Sequence, residues 1–188
     1  MSIQLGSEQG ESSVTMRNIA ARLGVSATAL YQHFDSKAAI LQEIRFLGVR
    51  TLLEAQEPAM AVEDPVERIH ALARHYIRFA VENRWLYKVL FYENAVNETE
   101  LAPTEREHLV APLQQVRDAC EAGIANGTFR QDLDLDSASL LLWASVHGLA
   151  SLLINGRLGQ EGSPPFPIGL QDDFVRSLVE GVLRSLRA

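Results

Sequence analysis

The sequence predicts an all-α fold, with an N-terminal helix-turn-helix head (residues 1–50) and a larger helical body (residues 51–188). Three observations carry this reading. Apolar residues recur at spacings of three and four along most of the chain, which is the period of a helix face. No run of alternating β-branched residues marks a half-buried strand. Glycine, proline and N-capping residues fall where helices of ordinary length would start and stop.

Each element follows from its residues. The first fourteen positions are polar, and only Ile3, Leu5 and Val14 could pack. Glu8-Gln9-Gly10 reads as the last turn of a first helix that is largely missing. In the next helix Ile19, Ala20 and Leu23 share one face, and Gly24 stops it because glycine takes a left-handed backbone at little cost. Val25 is expected to plug the gap behind the turn. Ser26 is a good N-cap for a second short helix, 27–33, with Leu30 and Phe34 on its inner side. Thr28, Tyr31, Gln32 and His33 are left on the outer side. A helix, a glycine turn and a second helix with a polar outer face make a helix-turn-helix.

Ser36 caps a helix over 37–56, with Ile40, Leu41, Ile44, Leu47 and Leu52 inward. Residues 57–64, including Pro58, form a connector. Asp64 and Pro65 open a helix over 65–82, since proline suits a first helical turn. Residues 83–92 form a short aromatic-rich helix. The helix 103–125 contains Pro112, so a kink or break is expected there. Asn126-Gly127 ends it. Asp134 or Asp136 caps a strongly apolar helix over 140–154, ended by Asn155-Gly156. A Gly/Pro-rich loop over 159–169 leads to a last helix over 171–186.

The last two helices are too apolar for one chain to cover. The penultimate one is apolar most of the way round, and the last carries a wide stripe. Packing the pair against a second copy, as a four-helix bundle, would bury both. The predicted interface is Leu142, Val146, Leu149, Leu153, Phe174, Leu178, Val182 and Leu186.

Charge is unevenly placed. The net charge is −7. Yet residues 15–50 carry Arg17, Arg22, Lys37, Arg45 and Arg50 against only Asp35 and Glu43. A mildly basic head on an acidic body suits a selective DNA reader rather than a protein that coats nucleic acid.

Other classes find little support. The single cysteine, Cys120, allows no intrachain disulfide and fits a reducing cytoplasm. The first residues lack the pattern of a secretory signal, and no apolar stretch reads as long and uninterrupted enough to span a bilayer. His70 and His75 have the wrong spacing for metal ligands. No nucleophile–base pair or phosphate-cradling glycine loop is visible. The expectation is therefore no enzyme, metal, cofactor or membrane partner.

The run I-A-x-x-x-G-V-S-x-x-x-L-Y-x-H-F-x-x-K resembles the DNA-binding signature of the tetracycline-repressor (TetR) family. It is carried here by Ile19, Ala20, Gly24, Val25, Ser26, Leu30, Tyr31, His33, Phe34 and Lys37. Residues 143–149 also resemble a subgroup with a W-x-x-x-H-G motif, matched by Trp143, His147 and Gly148. The resemblance implies a homodimeric transcriptional regulator, a repressor, that binds a near-palindromic double-stranded operator and is released by a small molecule. Family members usually have a longer first helix, so the alternative is a small-molecule-binding dimer that has lost tight DNA binding.

Thr15, Arg17, Ser26, Ala27, Thr28, Tyr31, Gln32, His33 and Lys37 are the expected DNA-binding residues. Tyr31, His33 and Lys37 match positions that usually hold the backbone. Thr28 and Gln32 are candidates for base edges, Gln because it can pair with adenine through two hydrogen bonds. A small apolar or aromatic effector is expected in the body. His75, Phe79, Trp85, Phe91, Tyr92, Cys120, Trp143 and His147 are candidates to line its pocket. For each of them an ordinary core role competes, and His147 could instead fix packing at the dimer seam.

Overall fold

The structure is a computed structural model and describes Glu8 and residues 13–91, 101–156 and 172–187. Eight helices are seen among these residues: α1 (Met16–Leu23), α2 (Ala27–Tyr31), α3 (Lys37–Met60), α4 (Pro65–Glu82), α5 (Arg84–Phe91), α6 (Pro103–Ala125), α7 (Leu135–Ile154) and α8 (Asp172–Leu186). The described residues contain no strand, only an isolated antiparallel bridge between Phe129 and Arg187. The all-α expectation is met. Several ends differ from it. α3 runs past Pro58 to Met60. A proline so near a helix end removes one ladder bond without unravelling the turns before it. α7 begins at Leu135, five residues before the apolar run, because Asp134 is its cap and accepts from the Ser137 N–H at 2.7 Å.

The chain forms two compact units. One comprises Met1–Thr51 and Asn83–Leu109, the other Leu52–Glu82 and Val110–Ala188. The first unit thus holds the head together with a segment far along the chain. Its buried side chains include Val14, Met16, Ile19, Leu30, Ile40, Leu41 and Ile44 from the head. Trp85, Leu86, Tyr87 and Val89 of α5 are buried as well. α3 and α5 meet at Gly48, where a Cβ would lie 3.0 Å from Leu90 Cγ and 3.2 Å from Leu86 Cδ1. Phe46 and His108 add a tilted ring contact at 5.9 Å.

In the second unit α4, α7 and α8 pack on one another. α4 buries Ile69, Leu72, Tyr76, Ile77 and Phe79, and α8 contributes Val175, Val179, Leu183 and Leu186. Phe129 is sealed under Gly123 and closes the end of α6, with its N–H donating to the Gly123 carbonyl at 2.9 Å. α7 is long and apolar enough to cross a membrane by length and composition, which corrects the sequence expectation. Its inner side, Leu142, Val146, Leu149, Ala150 and Leu153, is nonetheless buried within this unit, as in a core helix.

Candidate DNA-binding surface and effector cavity

The candidate recognition surface is framed by three hydroxyl caps and one glycine. Thr15 accepts from the Asn18 N–H at 3.2 Å and starts α1. The Asn18 side chain donates to the Ser13 carbonyl at 2.8 Å and pins the entering chain, a role the sequence reading missed. Gly24 has φ of 70° and ends α1, its N–H and that of Val25 returning to Ala21 and Ala20. Ser26 then accepts from Ala29 N–H at 3.0 Å and starts α2, and Ser36 does the same for α3 through Ala39 at 3.2 Å. Each such cap stabilises its helix by about 1 kcal/mol, which matters most for α2, a helix of only five residues.

This frame leaves a polar outer face. Leu30 is buried, whereas Thr28, Tyr31, Gln32 and His33 are exposed, Tyr31 by 53%. Arg17 is exposed at the start of α1, Ala27 and Lys37 are half-buried. Val25 is 45% exposed and does not plug the turn. Two of the five basic residues are not free to meet phosphate. Arg45 is only 7% exposed, and Arg22 donates to Glu8 at 2.6 Å.

The second unit contains a cavity of about 30 Å³ lined by Gln56, Ile69, Leu72, Ala73, Tyr76, Pro112, Val116, Leu142, Trp143, Val146 and Val179. That volume has room for about two water molecules. Its walls are almost entirely apolar. Beside it Trp143 stacks on His147, ring centroids 4.8 Å apart, and the Tyr76 hydroxyl lies 2.9 Å from His147 Nδ1. Burial holds the His147 pKa below its ordinary value, so the ring is neutral at pH 7.

Of the expected effector residues, only Trp143 lines this cavity, and His147 stands behind it. His75 is half-buried elsewhere on α4, and Phe79 is a core residue. Trp85 is buried in the first unit, where Phe91 packs on Tyr87 at 4.8 Å. Tyr92 lies outside the described residues. Cys120 is fully buried, and burial pushes its thiol pKa up to about 11, which leaves it unreactive. Gln56 and Tyr76 were not among the expected residues. A signal for Gln56 existed: it is a glutamine four residues after Leu52, on that helix's apolar stripe. No group of three or more His, Cys, Asp or Glu able to hold a metal occurs among the described residues.

The proposed dimer residues divide. Leu142, Val146, Leu149, Leu153 and Leu186 are buried in the chain's own core, which corrects their assignment to an outer face. Phe174, Leu178 and Val182 are half-buried. The apolar surface left open on α7 is carried by Leu140, Leu141 and Leu152, 52%, 48% and 46% exposed. Gly148 on α7 and Gly181 on α8 are exposed too, and a Cβ at either would meet nothing within 4 Å. An apolar helix presents several nearly equivalent stripes, and packing selects one of them.

Comparison with known proteins places this geometry. Residues 2–44 match the family described as bacterial regulatory proteins, tetR family, and residues 69–168 match the tetracyclin repressor-like C-terminal domain. The chain is 24% identical to the Escherichia coli K12 protein named "Probable acrEF/envCD operon repressor" over 183 residues, covering 94% of this chain and 79% of that protein. Its fold resembles a Rhodococcus sp. RHA1 protein of unknown function, with TM-score 0.81, 24% identity, and coverage of 100% of this chain and 92% of the other. The TetR family regulator PfmR from Thermus thermophilus is 25% identical with TM-score 0.67, covering 97% and 94% of the two chains.

Proposed function

As the chain belongs to the tetracyclin-repressor-like family of bacterial transcription regulators, we propose that it is a ligand-responsive repressor acting as a homodimer on a near-palindromic operator in the bacterial cytoplasm. The observation that carries the proposal is the Gly24 turn with its Ser26 cap, which holds Thr28, Tyr31, Gln32 and His33 on one solvent-facing side of α2. Arg17, Tyr31, His33 and Lys37 set the register on phosphates, joined by the N-terminal ends around Thr15 and Ser26. Thr28 and Gln32 read base edges in the major groove, and Ala27 lies close to the same surface. Repression, rather than activation, is supported by the name of the Escherichia coli relative.

A second copy would cover the open stripe of Leu141, Gly148 and Leu152 on α7 with Leu178, Gly181 and Val182 on α8. The effector enters the body cavity, and its walls must spread to admit anything larger than two waters. A ligand that favours the spread state shifts the population away from the DNA-competent one. The Trp143–His147 stack beside the cavity supports the W-x-x-x-H-G subgroup assignment as part of the same reading.

A chain that binds small molecules without gripping DNA is not favoured, because the match to the DNA-binding family runs through the whole motif. The test is a gel shift and footprint on the DNA upstream of the protein's own gene. A protected near-palindrome that resists competitor DNA is expected. Binding that ignores sequence would overturn the proposal.

A further inference from the structure

The effector cavity is lined almost entirely by carbon, and the wall residues that carry a side-chain polar atom are Gln56, Tyr76 and Trp143. Gln56 is 2% exposed. Its Nε2 turns to the Leu72 carbonyl at a long 3.5 Å, and its Oε1 has no hydrogen-bond partner among the described residues. The amide's orientation follows from chemistry. Reversed, it would set Oε1 against the Leu72 carbonyl, acceptor facing acceptor. The unspent atom is therefore an acceptor. A buried acceptor without a partner is costly, and such a group in an apolar cavity marks where a ligand's polar atom belongs. Of the other two polar wall residues, Tyr76 already faces His147 and Trp143 stacks on that same ring. No lysine, arginine or histidine lines the cavity.

We propose that this cavity takes a neutral, largely apolar ligand whose hydrogen-bond donor, a hydroxyl or N–H, meets Gln56 Oε1. Carboxylates are disfavoured there, because an anion would face an acceptor with no cation to offset it. Gln56 is then the residue that sets ligand specificity. This rests on reading the body as the effector-binding part.

The test uses three small probes on the full chain: phenol, its near-isostere toluene, and benzoate, each titrated by ligand-detected NMR. In the wild type, phenol should bind at least about tenfold tighter than toluene, and benzoate most weakly, since a site built to hydrogen-bond a hydroxyl penalises the analogue that lacks it. Gln56→Met keeps the shape and should abolish the preference for phenol. Gln56→Leu repeats the test if the first variant folds poorly. Equal binding of phenol and toluene by the wild type overturns the role of Gln56 but leaves the effector reading standing. The same holds if phenol keeps its advantage in both variants or benzoate binds best. Failure of all three probes to bind overturns both the inference and the effector reading for this cavity.

Discussion

Gly123 and Phe129 occupy each other's space: a Cβ added to Gly123 would overlap the Phe129 ring, which is 1% exposed. The glycine is there for proximity rather than backbone freedom, since it sits within α6. Gly123→Ala should cost about 1–3 kcal/mol through overpacking, lowering the melting temperature by roughly 2–12 °C. Thermal unfolding of Gly123→Ala and of Gly123→Ala with Phe129→Leu checks this. The second change should recover part of the loss. An unchanged melting temperature in the single variant would contradict the packing.

Gly24 is the opposite case. A side chain there would touch nothing within 4 Å, yet φ is 70°. The cost of substitution is conformational only. Gly24→Asn should therefore be tolerated better than Gly24→Val, the β-branched variant losing about 1–2 kcal/mol. Denaturant melts rank the two. Equal losses would mean that the turn is not held left-handed.

The outer stripe and inner stripe of α7 separate association from folding. Leu141→Glu replaces an exposed residue and should leave each protomer's stability within about 0.5 kcal/mol while splitting the proposed dimer. Leu142→Ala removes a side chain that is 2% exposed and should cost about 2–5 kcal/mol. Sedimentation and melting of both variants decide. A Leu141→Glu protein that stays dimeric would move the interface elsewhere.

On the proposed operator, Tyr31→Phe should weaken binding evenly across sequences, because it removes a phosphate contact. Gln32→Ala should relax the preference at one base pair by about 1–3 kcal/mol. Affinity measured against a set of single-base operator variants distinguishes the two patterns. A uniform loss for Gln32→Ala would assign that side chain to the backbone.

Stability should fall on mild acidification. Burial, and next Arg176, hold the His70 pKa below its ordinary 6.5, with Glu67 and the Glu180 carboxylate 3.6 Å away opposing. His75 and His147 are displaced the same way, chiefly by burial. Below pH about 6.5 the unfolded chain binds protons that the folded chain refuses. Their contribution is therefore full above that pH and is lost as the pH drops through the folded values. Urea melts at pH 7.5 and 5.5 should show the decline, and His70→Gln should lessen it. Greater stability at pH 5.5 would reverse the sign and refute the account.

The parts legible in the sequence are those fixed by one residue's chemistry. Ser26, Ser36 and Gly24 mark their helix ends unaided, because a cap or a left-handed turn is a local requirement. Pro65 does the same for α4. The inward stripe of α7 was not legible. Leu140, Leu141 and Leu142 are equally apolar, and only packing by α4 and α8 buries the third and exposes the first two. Trp85 and Phe91 looked like pocket residues for the same reason: aromatic content shows burial but not which core receives it. The cavity's polar point was legible in principle, since Gln56 interrupts an apolar stripe.

Gly48 ties these observations to the order in which the protein is made. Its bare backbone receives Leu86 and Leu90, so the unit that carries the head is completed by residues translated after α3 and α4. A nascent chain released from the ribosome at the end of α3 would leave bare the Gly48 face that Leu86 and Leu90 later cover. Until α5 emerges, that surface invites chaperones or aggregation. The head is therefore encoded first but finished late, and a fragment ending at residue 50 is a poor substitute for it.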